Sequence, residues 1–381
     1  MALQQRKLLL HFDINKTLIV SDVAGGVGTE QMINSLLSEV AWGKINADTQ
    51  AWELLSEEPS VCAPDESTGW MTFNEYLENI LKPEKAQKRA VKTSFTEEGK
   101  IGESFRPAYE RILNALALPE DVRAAAAAAV PALAGGQCFI LPCFFELLLA
   151  LQARGRAFSL VFRTFGHDLP QIAEEFNAFC EGRHPCWPHA RMDGTGGTAD
   201  RRLKLPQASG KFYRDGEGGD GMHLAMIDST TQLVEISHGV EEVWKTIIEK
   251  SADGTTLGLS DCYPWWRDNN ESDTSGKLLL VAGDEEHGEE EVGVAAEGGA
   301  PSSAPPRAAA AAAAPLALFF DDNVERDRAH IVDVRRAAPG APPVPFARSK
   351  DRFIFKAEPF AAILDRQYYI NALELLESNN V

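Results

Sequence analysis

The chain has 381 residues, 44% of them hydrophobic, and a formal net charge of −19 from 37 basic and 56 acidic side chains. That length buries a sizeable core in one elaborated domain or two smaller ones. The acidic balance excludes a general nucleic-acid or anionic-membrane binder, because no basic field would steer a polyanion in. No segment approaches the roughly 20 apolar residues needed to span a bilayer, and the opening apolar run is too short for a signal peptide. Six cysteines without a C-x-x-C pair make no disulfide framework. The expected setting is soluble, reducing and cytoplasmic.

Residues 7–12 form a continuous apolar run, the pattern of a strand buried on both faces. An insertion follows over 23–136. Gly25, Gly26 and Gly28 read as the hinge into it, since no strand precedes them in G-x-G-x-x-G spacing. Its Trp42, Trp52, Trp70 and Tyr76 are expected to nucleate a small core of their own. Residues 105–118 carry a helical pattern, and the alanine run 124–129 extends a helix begun near Pro119. The insertion therefore reads as a mainly helical module.

Residues 141–154 are apolar on a helical period, with Gly155 placed as the C-terminal cap. A strand is expected over 157–162 and a helix over 168–179. Further strands fall at 223–227 and 277–281, separated by an amphipathic stretch at 240–248. Residues 283–315 run from glutamates into a Gly/Ala/Ser/Pro tract with nothing to bury, and read as a disordered acidic and alanine-rich insertion. Strands at 316–320 and 330–334 close the pattern. Strands alternating with helices give an α/β fold with a mostly parallel sheet. The sheet domain is expected to be discontinuous, from 1–22 and 137–381.

Ligands of open α/β sheets bind at the carboxyl ends of strands. Three strands end in chemistry-bearing groups: Asp13-Ile14-Asn15-Lys16-Thr17, Arg163-Thr164-Phe165-Gly166 and Asp321-Asp322-Asn323. Asp13 alone would read as a helix cap. Carboxylates converging at strand ends repel one another, and a hard divalent cation such as Mg²⁺ relieves the crowding.

The segments F-D-I-N-K-T (12–17), F-R-T-F-G (162–166) and F-F-D-D-N (319–323) together resemble the haloacid dehalogenase-like (HAD) superfamily. Its motifs are D-x-D-x-[TV], a Ser or Thr after a strand, a lysine, and an acidic pair after an apolar strand. Lys277, in G-K-L-L-L-V, lies nearest the fourth motif, with Lys204, Lys211 and Lys245 as rivals. The resemblance implies a HAD-like Rossmannoid sheet with an inserted helical cap. It casts Asp13 as the nucleophile that becomes an aspartyl-phosphate. The Asn15 carbonyl and the Asp321–Asp322 pair would join Asp13 at Mg²⁺, Asp322 as direct ligand and Asp321 behind it. Thr17 and Thr164 would hold phosphoryl oxygens, and Lys277 would neutralise charge on the transferring group.

The sequence departs from the family at Asn15, where phosphatases carry an acid/base aspartate. An amide cannot shuttle a proton, and such catalysis is typically worth about 10²–10⁴ in rate. The expected function is a Mg²⁺-dependent phosphatase or phosphotransferase acting on a small phosphorylated metabolite, with no nucleic-acid or membrane partner. The alternative is a catalytically impaired HAD-derived binding or regulatory protein.

Other residues have plainer readings. His184, Cys186 and His189 (H-P-C-W-P-H) lack a fourth partner nearby and zinc-finger spacing, and read as a loop. His11 reads as a core histidine. Trp265 and Trp266 wall the site, receive the insertion or pack the core. Arg163 either meets a substrate anion or forms an internal ion pair.

Overall fold

The computed structural model describes residues 6–21, 26–65, 67–216, 221–228, 231–283 and 314–380. The acidic and alanine-rich tract, apart from its ends, lies outside the described residues. At the centre stands β1 (Leu8–Asp13), in which every residue is buried. It pairs in parallel with β5 (Phe158–Thr164) on one side and β11 (Leu316–Asp321) on the other. Outside β11 lies β13 (Ile354–Lys356), also parallel. Outside β5 come β9 (Leu257–Ser260) and β6 (Ser209–Arg214), both parallel. Antiparallel β7 (Met222–Ile227) and β8 (Val234–His238) complete a sheet of eight strands in the order β13-β11-β1-β5-β9-β6-β7-β8. The chain winds outward from β1 in one direction and later returns to its other side, so β1 lies at a switch point, where such sheets bind ligands.

Helices α6 (Pro142–Ala153), α7 (Leu169–Cys180), α8 (Gly239–Lys250) and α9 (Tyr263–Asp268) connect these strands. Near the C-terminus come α10 (Phe346–Ser349), α11 (Pro359–Leu364) and α12 (Tyr368–Ser378). Both faces of the sheet are covered, which is why β1, β5 and β11 are near-continuous apolar runs, broken inside only by His11, Ser159 and Arg163. Phe12 stacks on Phe320 at 4.5 Å between centroids and meets Phe144 of α6 and Tyr369 of α12 edge-on. Gly155 ends α6 in the left-handed region (φ 61°), where a side chain would be strained.

The insertion holds α1 (Thr29–Glu39), α2 (Phe73–Tyr76), α3 (Lys85–Thr93), α4 (Arg106–Leu116) and α5 (Glu120–Ala129). It also holds a three-stranded antiparallel sheet of β2 (Trp42–Ile45), β3 (Trp52–Leu54) and β4 (Met71–Thr72), which its helical pattern did not announce. Trp52 packs against Phe73 and Tyr76, yet this cluster is continuous with the core around β1 rather than separate from it. Trp70 stands apart, half-buried with the Lys44 ammonium 4.5 Å over its ring.

The sheet differs from expectation in two further respects. Strands β10 (Lys277–Val281) and β12 (Val332–Arg336) leave the main sheet and pair in parallel with each other beside β11. The last of these begins two residues later than the 330–334 reading, because His330 sits in a turn at φ 53°. Among the described residues, no helix is long and apolar enough to cross a membrane.

Candidate active site

Phe12 pairs in register with Phe320, so Asp13 and Asp321 emerge side by side from the carboxyl ends of β1 and β11. In-register neighbours share a face of the sheet. With Asp322 they form a triad whose ligand oxygens lie within 4.8 Å of one another. Lys277 arrives from β10 and donates from Nζ to Asp13 Oδ1 at 2.5 Å and to Asp321 Oδ2 at 2.7 Å. Of the four lysines considered, only this one reaches the carboxylates. Lys204 pairs with Asp200 and Lys245 with Glu249, both at the surface, while Lys211 lies over Tyr213.

Three carboxylates crowd one another here, with Lys277 bonded to two of them and Lys16 acting on the third. Burial pushes Asp13 well above the usual aspartate range; Asp321 and Asp322 push the same way, while Lys277 pulls it down. Asp322 is raised to about 7, by burial first and then by Asp321, against the pull of Lys16 and Lys277. Both oxygens of Asp321 are taken: Oδ2 by Lys277, Oδ1 by the backbone N–H of Asn323 at 2.9 Å. Asp322 accepts from Asn323 Nδ2 through Oδ1 at 2.9 Å.

Thr17, fully buried, accepts the Asp322 N–H on Oγ1 at 3.0 Å, and its carbonyl accepts from the Tyr369 hydroxyl at 2.5 Å. Thr17 Oγ1 therefore ties the loop after β1 to the loop after β11. Thr164 ends β5, accepts the Gly166 N–H at 2.7 Å and donates to Asp168 Oδ2 at 3.2 Å. Asn15 donates from Nδ2 to the same Asp168 oxygen at 3.4 Å.

Asp168 is the residue the sequence reading missed. It stands at the N-cap of α7, where an aspartate ordinarily caps, but its carboxylate makes no cap bond and turns to Asn15 and Thr164 instead. The available signal was its position four residues after Thr164. Asn15 Oδ1 and Asp168 Oδ1 are buried without a hydrogen-bond partner among the described residues. Two such acceptors together call for a donor or a cation, since an unsatisfied buried polar atom costs about 1–3 kcal/mol.

Arg163 stands in register beside Asp13, and all of its nitrogens are engaged internally. Nε and Nη2 grip Asp261 at 3.0 and 2.5 Å, and Nη1 reaches the Leu278 carbonyl at 2.7 Å and His11 Nδ1 at 3.2 Å. Of the two readings of Arg163, this is the internal ion pair. Trp266 stacks on Phe165 at 5.8 Å, and the Lys277 ammonium lies 5.2 Å over the Phe165 ring, so Trp266 walls the site through Phe165.

The insertion touches the same strand ends. Glu39 of α1 bridges Lys16 at 3.3 Å and Lys92 at 2.8 Å, while Arg326 donates to the Val61 carbonyl at 2.9 Å. Although burial pulls Glu39 upward, Lys16 and Lys92 hold it down at about 2 against an ordinary 4.5. A depressed folded value gives stability that is present above the unfolded value and lost as pH falls through the folded one. Glu39→Gln should therefore lower the thermal midpoint at neutral pH, and the deficit should shrink between about pH 4.5 and pH 2. An unchanged deficit across that window would remove the bridge from the account.

His184 lies buried with Cys138 and Glu175, and half-buried Cys186 donates its backbone N–H to His184 Nδ1 at 3.2 Å, whereas His189 is exposed. No family model, curated protein or solved structure matches the chain.

Proposed function

We propose that the chain is a Mg²⁺-dependent phosphatase or phosphotransferase resembling the HAD superfamily, working through an aspartyl-phosphate on Asp13. The observation that carries this reading is the convergence of Asp13, Asp321 and Asp322, with Lys277 bonded to the first two. An excess of buried carboxylate oxygens is a hard donor set, and magnesium fits it. Asp13, the Asn15 carbonyl and Asp322 would hold the ion, Asp321 being occupied by Lys277 and Asn323. When bound, it supplies positive charge to phosphoryl oxygens and offsets carboxylate repulsion.

The protein's own groups do the rest. Lys277 aims Asp13 and opposes the burial that favours its protonated form, so that a carboxylate oxygen can bond to phosphorus as the bond from phosphorus to the leaving oxygen breaks. Water, or an acceptor hydroxyl, then attacks phosphorus, the bond to Asp13 breaks, and phosphate or the transferred ester departs. Thr164 orients Asp168 beside Asn15. The Asn15 amide gives no proton to the leaving group, so good leaving groups such as acyl and aryl phosphates are favoured. The insertion, linked to the strand-end loops through Glu39 and Arg326, acts as a cap that limits access to small substrates.

Asn15 also favours a second reading, a binding or regulatory scaffold that retains the ion site but turns over slowly or not at all. The test is one set of measurements. Millimolar Mg²⁺ should raise the thermal midpoint by binding the native state, and Asp322→Asn should remove most of that gain. Acetyl phosphate and p-nitrophenyl phosphate should be hydrolysed only with Mg²⁺, and not by Asp13→Ala. Equal stabilisation of wild type and Asp322→Asn would overturn the ion assignment. Stabilisation without turnover would select the scaffold.

A further inference from the structure

A second concentration of buried charge lies beside the strand that Lys277 begins. Arg214 ends β6, while Asp333 and Arg335 belong to β12, the partner of β10. The side chains of Arg214, Arg335 and Asp333 are 7%, 5% and 1% exposed. Asp333 Oδ2 accepts from Arg214 Nη2 at 3.0 Å, and Arg335 Nε reaches both Asp333 oxygens at 3.0 and 2.9 Å. Two guanidiniums thus share one carboxylate. Nothing in the proposed phosphoryl chemistry uses them.

The two arginines differ in what they have left to give. Arg214 is spent on the chain: Nη1 donates to the Thr274 carbonyl at 2.7 Å and Nη2 also to the Gly276 carbonyl at 2.9 Å. Those bonds fix the segment that leads into Lys277. Arg335 gives Nε alone to Asp333, and its Nη1 and Nη2 bond nothing among the described residues. A planar pair of N–H donors at the end of a guanidinium is the fork that grips oxyanions.

Both arginines line a cavity of about 510 Å³, a size typical of small-molecule sites. Trp265, Asn270, Ser272 and Thr274 line it with them. The Ser272 and Thr274 hydroxyl oxygens lie 3.0 Å apart, so one hydrogen joins them and the other is left to donate. Trp265 is half-buried and brings an indole to the wall. The one carboxylate in the lining, Asp268, pairs with Arg267 at 2.8 Å.

We propose that this cavity binds a small phosphate monoester, its phosphate on the Arg335 fork and its body against Trp265. The three phosphate oxygens match two guanidinium N–H groups and the spare hydroxyl hydrogen, where a carboxylate would leave one donor idle. Inorganic phosphate would fill only a small part of the cavity, so the ligand carries a body. Hydroxyls, an amide and an indole suit a sugar or a nucleoside. The site uses none of the residues assigned to the carboxylate triad and does not depend on the phosphatase reading.

The test is calorimetric titration of the full chain without divalent metal, with AMP, glucose 6-phosphate, adenosine and glucuronate as probes. At least one of the two phosphate esters should bind one-to-one, and the tighter one identifies the body as nucleoside or sugar. Arg335→Met keeps an apolar stem, leaves Asp333 paired with Arg214 alone, and should weaken that binding about tenfold to hundredfold. Trp265→Ala, at a half-buried position, should weaken it as well. Asp13→Ala should leave it unchanged, which separates this cavity from the proposed reaction centre. A folded wild type that binds neither ester would overturn the proposal. So would adenosine bound as tightly as AMP, glucuronate bound as tightly as glucose 6-phosphate, or binding that survives intact in Arg335→Met. The comparisons among probes need no variant, and Trp265→Ala places the site should Arg335→Met fail to fold.

Discussion

Asn15→Asp should raise turnover of alkyl phosphates by up to about 10²–10⁴, the range that a positioned general acid and base supplies. Acyl and aryl phosphates should gain less, because their leaving groups depart without a proton. The surroundings of Asn15 supply a reason of their own for this expectation. Its Nδ2 lies 3.4 Å from Asp168 Oδ2, so the substitution sets two carboxyl groups face to face. Two carboxylates that close cannot both ionise, and the pair retains a proton to higher pH. A retained proton is what an acid for an alkoxide leaving group requires.

The gain should therefore depend on Asp168. Asn15→Asp combined with Asp168→Asn should lose part of the alkyl-phosphate advantage, and the alkaline limb of its pH–rate profile should move to lower pH. A gain identical in both backgrounds would show that Asp168 takes no part. Should Asn15→Asp bind Mg²⁺ normally and hydrolyse none of these esters, the binding-scaffold reading replaces the enzyme.

The elements that carry this chemistry were the legible ones. β1, β5 and β11 are covered on both faces, so each reads as a largely apolar run, and Asp13, Thr164 and Asp321 stand at their ends. Short or one-sided strands left fainter traces. β9 is only four residues, and its Gly258 faces Leu169 so closely that an added Cβ would lie 2.8 Å from that side chain. β8 (V-E-I-S-H) alternates apolar and polar residues but is only five residues long, and its Val234 and Ile236 stay exposed at the sheet edge. Side chains that act through space were least legible. Asn15 and Asp168 are 153 residues apart and Arg163 and Asp261 are 98 apart. The H-P-C-W-P-H segment acquires its partners, Cys138 and Glu175, only through the packing of α7 against the segment before α6.

Asp261→Asn should lower stability by about 3–5 kcal/mol, the cost of leaving a buried charge without its partner. Arg163 has no exposed surface, and Asn would keep the shape of Asp261 while removing its charge. The guanidinium would then face only the Leu278 carbonyl and His11, which burial first and Arg163 second hold well below the usual histidine value and so neutral. At roughly 2 °C per kcal/mol for a large domain, the thermal midpoint should fall by about 6 °C or more. The Asp261 N–H also donates to the Thr164 carbonyl at 2.7 Å, so the loss should reach the end of β5 and the Asp168–Asn15 contact.

Arg163→Met with Asp261→Leu removes both charges and supplies apolar volume, a replacement that is often neutral or stabilising for a buried pair. This double variant should recover most of the stability lost in Asp261→Asn. It should also keep the KM for p-nitrophenyl phosphate, because Arg163 is spent on the interior rather than on substrate. A large rise in KM in a double variant of restored stability would mean that Arg163 leaves Asp261 to hold the substrate anion, and the ion pair would then be a resting position instead of a fixed part of the core.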